Sequence, residues 1–269
     1  MGRALKGKVS SRKLAKLLGV PRSTLLYSPK LRKEDEELIK EMGAILREPG
    51  KESWGYRRIT AYLRRKGWRV NHKRVYRLYK LFGLSLPKPK PRKRKLQAKG
   101  FEVKATKPND VWCSDIFWVK GYKVLFLLDE ASRMFLGFRV GRRLSSTQVV
   151  DLLKEAFLLY GKPKYLRTDG GPEFTSNQTQ EFLQSERVEH ILTTPGHPWE
   201  NGIAESWVGK TRREALAGLE PSSSKELERE LLNWMRFYNG GRLHSSLGYR
   251  TPREAWEEGL RYGAGALTK

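Results

Sequence analysis

Asp115 stands in the middle of an apolar run, V-W-C-S-D-I-F-W-V at residues 111–119, which has the length and composition of a buried strand. An unpaired carboxylate there costs several kcal/mol or loses its charge, so Asp115 requires a cation or a hydrogen-bonded partner. Two more acids sit where a fold would bring them close. Asp169 closes the short apolar run K-Y-L-R-T-D before Gly170-Gly171, and Glu205 lies in N-G-I-A-E-S-W-V-G-K-T-R, whose pattern predicts a helix. Carboxylates converging to ~4 Å at an effective dielectric near 20 repel by roughly 4 kcal/mol per pair. A divalent metal removes that difficulty. Hard cations such as Mg or Mn take oxygen ligands, and an all-carboxylate cluster is their usual protein site.

The charge is distributed as unevenly as the acids are focused. Residues 1–110 hold 32 Lys and Arg against 9 Asp and Glu, so nearly all of the +25 net charge lies there and the rest is close to neutral. This predicts a polyanion-binding N-terminal half joined to a catalytic or scaffold half, with steeply salt-dependent binding. A chain of 269 residues that is 38% hydrophobic can bury a core, which excludes a disordered chain. Its one cysteine, Cys113, allows no internal disulfide. With no long apolar run and no signal-peptide pattern, the expectation is a cytoplasmic chain with no membrane partner.

Residues 1–30 outline a helix-turn-helix. Leu14, Leu17 and Leu18 share a helical face, Gly19 breaks it, and Pro21 restarts it, which places Arg22, Ser23 and Thr24 at the end that such motifs aim at DNA. Residues 31–86 read as a second helical DNA-binding domain: a helix from Leu31 to Arg47, another over Gly55–Lys66, and a third capped by Asn71 and running to Phe82, with Val75, Leu78, Tyr79 and Phe82 inward. Arg57, Arg58, Lys73, Arg74 and Arg77 on these helices suit phosphate contact. Residues 87–106 are a basic, Pro-rich linker whose Arg92, Lys93, Arg94 and Lys95 can follow a DNA backbone.

Residues 107–217 read as three meandering strands, then helix, strand, helix, strand and helix, an α/β order that builds a mixed sheet with flanking helices. Residues 218–269 form a C-terminal helical extension and tail. At ~100° per residue Asn201 and Arg212 share the face of Glu205, and Gly209 leaves that face open. Asp129 and Glu130 also follow an apolar strand, but the adjacent A-S-R reads as a hairpin turn. Glu173 and Glu200 are rival acids near the site, and the loop over 193–201 carries His197, which can move a proton, bind phosphate or simply pack.

The motifs W-C-S-D-I, L-L-D-E-A-S-R, R-T-D-G-G-P-E-F, P-G-H-P-W-E-N-G-I-A-E-S-W and Y-N-G-G-R-L-H-S-S-L-G-Y-R-T-P-R-E-A, with W-G-Y-R-R-I and V-N-H-K-R-V-Y-R-L upstream, span about residues 53–256. In order and spacing, with 35 residues between Asp169 and Glu205, they resemble the DDE transposases with a retroviral-integrase-like catalytic core, of the OrfB type found in insertion sequences with two overlapping frames. The resemblance implies a ribonuclease-H-like core preceded by the all-α region, and Asp115, Asp169 and Glu205 as catalytic ligands of two Mg ions, with Mn as a plausible substitute. It implies Arg212 at transposon-end DNA, where helical spacing adds Asn201 as a candidate contact, a homo-oligomer on terminal inverted repeats and target DNA, and an upstream-frame partner or fusion. The chemistry implied is strand cleavage followed by 3′-hydroxyl strand transfer. Alternatives are a non-catalytic DNA-binding regulator derived from such an enzyme and a nuclease that only hydrolyses.

Overall fold

The structure is a computed structural model that describes residues 10–26, 33–84, 103–194 and 198–263. Arg92, Lys93, Arg94, Lys95 and His197 lie outside the described residues. Two compact units divide the chain, residues 1–45 and 46–269.

In the first unit, α1 (Ser11–Leu18) is capped by Ser10 and ends on Gly19, whose φ of 61° is the left-handed conformation that suits glycine. The five-residue α2 (Arg22–Leu26) packs on α1. This small hairpin buries Leu14 and Ala15, but Leu17 and Leu18 are 73% and 46% exposed rather than inward as the spacing predicts. A two-helix hairpin has too little surface to cover a whole apolar stripe. α3 (Lys33–Arg47) follows, with Glu34, Asp35 and Glu36 in its first turn, where the helix dipole favours them.

The second unit begins with α4 (Tyr56–Arg65) and α5 (His72–Leu81). Asn71 caps α5 as expected, its Oδ1 accepting the Lys73 N–H at 2.9 Å. Val75, Leu78 and Tyr79 are inward, whereas Phe82 is the C-terminal cap and 45% exposed. Both helices belong to the same compact unit as the sheet. Arg65 donates to both carboxylate oxygens of Glu254 at 2.8 Å and to the Tyr249 carbonyl, which ties α4 to the C-terminal segment.

The sheet has five strands in the order β3-β2-β1-β4-β5: β1 Val111–Val119, β2 Tyr122–Asp129, β3 Phe135–Gly141, β4 Tyr165–Thr168 and β5 Glu189–Leu192. The first three pair antiparallel and the last two join in parallel, the mixed ribonuclease-H-like sheet that the element order predicts. α6 (Ser146–Tyr160), the short α7 (Pro172–Thr175) and α8 (Asn177–Ser185) lie between strands, and α9 (Gly202–Glu214), α10 (Ser224–Gly240) and α11 (Pro252–Tyr262) follow β5.

Alternation along the strands separates two cores. Trp112, Leu125, Leu127 and Leu166 pack with α6 and α8 residues such as Leu153 and Leu183. Cys113, Phe117, Val124, Phe126 and Leu128 pack with Trp207 of α9 and Leu231, Trp234 and Tyr238 of α10. With both faces covered, β2 is an almost unbroken apolar run. Asp115 shares the parity of Cys113 and Phe117, so it belongs to the face that α9 covers.

Candidate active site

β1 and β4 set the position of the first two acids. Cys113 lies opposite Arg167 in the parallel pairing, and two residues further along each strand stand Asp115 and Asp169. Parallel neighbours are ~4.8 Å apart, so this register puts the two carboxylates at the same level of the sheet. Asp169 is just past the end of β4, exposed, with its Oδ1 accepting the Gly171 N–H at 3.1 Å. A side chain at Gly171 would begin 3.1 Å from that Oδ1, which is a reason for glycine here.

Glu205 arrives from the first turn of α9 and is exposed. Trp207, two residues on, anchors the helix: it is 1% exposed, stacks on Phe126 with centroids 4.3 Å apart and meets Phe135 at 4.6 Å. With ~100° per residue, burying Trp207 fixes the rotation of α9 and hence the direction of Glu205.

Asp115 feels the other two acids. Burial pushes the Asp115 carboxyl up, the Ile116 N–H at 2.7 Å pulls it down, and the charges of Asp169 and Glu205 push it up again, leaving it at about 6. Among the described residues, no three His, Cys, Asp or Glu side chains already enclose a common metal position. The donor set, carboxylates with neither thiolate nor imidazole, nevertheless fits a hard divalent ion.

A fourth acid, Glu173, stands beside Asp169, since a Cβ on Gly171 would also meet its Oε2 at 3.5 Å. Burial raises its carboxyl, but the Lys123 hydrogen bond, its own backbone N–H and the Lys123 charge bring it below the ordinary range. Its ion pair with Lys123 measures 2.9 Å. Lys123 comes from β2, 50 residues away in the chain, and no local pattern singles it out. Glu200 accepts the Thr194 N–H at 2.6 Å, so its carboxylate is engaged by the backbone after β5.

His190 on β5 is a further residue that the sequence left unmarked. Gln180 Nε2 lies 2.8 Å from its Nδ1, and its Nε2 lies 2.8 Å from Thr168 Oγ1, which donates to the Asp169 carbonyl at 2.8 Å. Since an amide nitrogen can only donate, Nδ1 accepts and Nε2 carries the proton. Burial lowers the imidazole pKa, which keeps that neutral tautomer.

The other predicted residues fall in different places. Asp129 is fully buried and accepts from Ser132 N–H at 2.7 Å, Ser132 Oγ at 2.6 Å and Asn109 N–H at 3.0 Å, so it organises the hairpin turn. Glu130 pairs with Arg167 inside the protein. Asn201 belongs to a 3-10 turn, Pro198–Asn201, rather than to α9, and is 7% exposed, so helical spacing does not carry its side chain onto the open face of Glu205. Arg212 is exposed, donates to the Trp118 carbonyl at 3.3 Å and lies over the Phe117 ring. The open patch expected at Gly209 has Arg213 across it: a Cβ there would meet Arg213 Nη1 at 3.3 Å.

Arg22 Nε donates to Ser11 Oγ at 3.2 Å, and Ser23 and Thr24 are exposed at the start of α2. Arg57, Lys73 and Arg77 are exposed, whereas Arg58 and Arg74 are half-buried. No described helix is long and apolar enough to cross a membrane.

Three comparisons bear on this arrangement. The integrase core domain family matches residues 105–198 and, through a second integrase core family, 186–252, which together span all three acids; an HTH-like domain matches residues 32–95. A chain of the simian T-cell lymphotropic virus intasome superposes with a TM-score of 0.51 at 18% identity, covering 76% of this chain and 70% of that one, which shows the shared fold. An uncharacterized protein of insertion element IS476 from Xanthomonas euvesicatoria is 32% identical over 91% of this chain and 72% of its own length. One of insertion element IS407 from Burkholderia multivorans is 31% identical over 91% and 90%. Likeness of that extent, running through both the helical region and the sheet and extending to transposase InsD of an Escherichia coli IS2 element at 32% identity over 75% of this chain and 73% of its own length, places this chain in the family of DDE transposases of bacterial insertion sequences.

Proposed function

We propose that the chain binds the ends of an insertion element and catalyses divalent-metal-dependent strand cleavage and 3′-hydroxyl strand transfer. The observation that supports this reading is the parallel pairing of β1 with β4, whose Cys113–Arg167 pair lies two residues before Asp115 and Asp169, together with Glu205 in the first turn of α9. Asp115, Asp169 and Glu205 are the residues that would hold Mg. The metal supplies charge neutralisation and activation of an attacking oxygen in an in-line phosphoryl displacement. The chain's own part is to bring the acids together, to hold the backbone of Asp169 through Thr168 and His190, and to keep Glu173 neutralised by Lys123.

The cations on α2, α4 and α5, with Arg92, Lys93, Arg94, Lys95 and Arg212, are the proposed contacts to double-stranded DNA, both terminal repeats and target. Partners of the same reading are a second copy of this chain on DNA and a product of the upstream frame. Labelled element ends incubated with a target plasmid and Mg test it: joined products are expected. Products that are hydrolysed but never joined would favour a nuclease, and bound but unreacted ends would favour a DNA-binding regulator.

A further inference from the structure

A cavity of about 440 Å³ lies beside α9, lined by Arg58 of α4, Arg133 of the β2–β3 turn, Ser206 and Lys210 of α9, and Arg242 and His244 beyond α10. No local motif joins these residues; only the fold assembles them. Arg242 is already answered, since its Nε and Nη2 donate to the two oxygens of Glu214 at 2.7 and 2.6 Å. Glu130 makes its ion pair with Arg167 and feels the Arg133 charge only at longer range. Among the described residues Arg58, Arg133 and Lys210 form no ion pair, and Lys210 Nζ donates to Ser206 Oγ at 2.5 Å.

Two buried donors point the same way. Trp207, 1% exposed, and Arg133 both line the cavity, and Trp207 Nε1 and Arg133 Nη1 are buried without a hydrogen-bond partner among the described residues. Buried donors are rarely left unmatched. Burial, then the charges of Arg242 and Arg133, lower the Lys210 amine to about 8; burial, then Arg242, lower Arg58 to about 10. Burial and four surrounding cations hold His244 near 2, so its Nε2, 3.2 Å from Arg242 Nη1, is an acceptor on a neutral ring. The cavity thus combines concentrated positive potential with hydroxyl, indole and guanidinium donors. That set matches a group with several anionic acceptor oxygens better than a single carboxylate.

We propose that this cavity is a phosphate site that holds one phosphodiester group of the DNA substrate beside α9, with Arg58, Arg133 and Lys210 as its cations and Trp207 Nε1 as a neutral donor. The DNA part rests on the reading under Proposed function; the phosphate part stands on the cavity alone. Because Ser206 and Lys210 lie on the helix that bears Glu205, a phosphate held here registers the strand against the acids through that helix.

The test uses the full chain without divalent metal. Inorganic phosphate should raise the melting temperature saturably, beyond sodium chloride of equal ionic strength. Lys210→Met should weaken the phosphate response roughly tenfold, the scale of one lost charge-assisted contact, while Lys154→Met, an exposed lysine of α6, should not change it. Ser206→Asp places a carboxylate against Lys210; it should raise the melting temperature without phosphate and abolish the response, which keeps the test decisive if Lys210→Met fails to fold. Both variants should also weaken binding of a labelled double-stranded DNA. Equal responses to phosphate and chloride, or equal behaviour of the two lysine variants, would overturn the site. A lost phosphate response with unchanged DNA affinity would overturn its assignment to DNA in favour of a free phosphate. Neither arm reads strand transfer, so a failure of the catalytic reading is separately visible.

Discussion

Glu130 and Arg167 form an ion pair inside the protein, Oε1 to Nη1 at 2.5 Å, with side chains 4% and 3% exposed. Arg167 also donates to the Val103 carbonyl at 2.8 Å. The pair ties the turn after β2 to β4 two residues before Asp169. Burial raises the Glu130 carboxyl more than the arginine lowers it, so the pair is held in place at a desolvation cost.

Breaking that pair leaves a buried charge unmatched. Glu130→Ala should destabilise the chain by about 3–5 kcal/mol, read as a lower urea midpoint with an unchanged slope. Replacing Glu130 and Arg167 together by Met should lose much less. Equal losses for the single and double variants would show that the pair's charge is not what the site depends on.

Asp115 and Asp129 are both pushed up to about 6, chiefly by burial, from an ordinary value near 3.8. An acid whose folded-state pKa exceeds its unfolded one stabilises the fold while protonated, fully below about pH 4, and loses that contribution as pH rises through about 6. Metal-free protein should therefore lose stability between pH 4.5 and 7, and Asp115→Asn should flatten part of that fall. Thermal melts in EDTA across this range measure it.

Magnesium should raise the melting temperature of the wild type more at pH 7.5 than at pH 5.5, because it competes with the proton for Asp115. Asp115→Asn should show little response and no strand transfer while still binding DNA. Normal strand transfer by this variant in Mg would mean that the assigned site is wrong.

Arg57→Ala combined with Lys73→Ala should do the reverse. Both side chains are exposed, so folding and the Mg response should persist, while end binding weakens and its logarithmic salt slope falls by about 2. Fluorescence anisotropy over a salt series gives both quantities.

Thr168→Val and His190→Leu should each lower turnover roughly tenfold with little change in DNA affinity, since they loosen the support behind Asp169 without touching DNA. Because the imidazole is neutral already, the pH profile of the activity left in His190→Leu should keep the wild-type shape; loss of a wild-type inflection in that variant would instead make His190 a proton carrier.

Much of this protein is legible in the order of its residues. Apolar parity put Asp115 on a covered strand, turn residues ended β4 before Asp169, and Asn71 and Gly19 marked helix ends, all through interactions within a few positions of the chain. The mixed sheet with flanking helices followed from the succession of elements. Other features depend on neighbours distant in sequence. Lys123 neutralises Glu173 across 50 residues, Arg213 lies across Gly209, and Asn201 sits in a 3-10 turn where helical spacing had placed it on α9. The phosphate-like cavity draws on residues 58, 133, 206, 210, 242 and 244 at once. Periodicity and punctuation report backbone conformation and which face is buried. Which charge meets which, and which donor goes unmatched, is settled when helices and strands pack, because Coulomb and hydrogen-bond energies depend on distance in space and carry no local pattern.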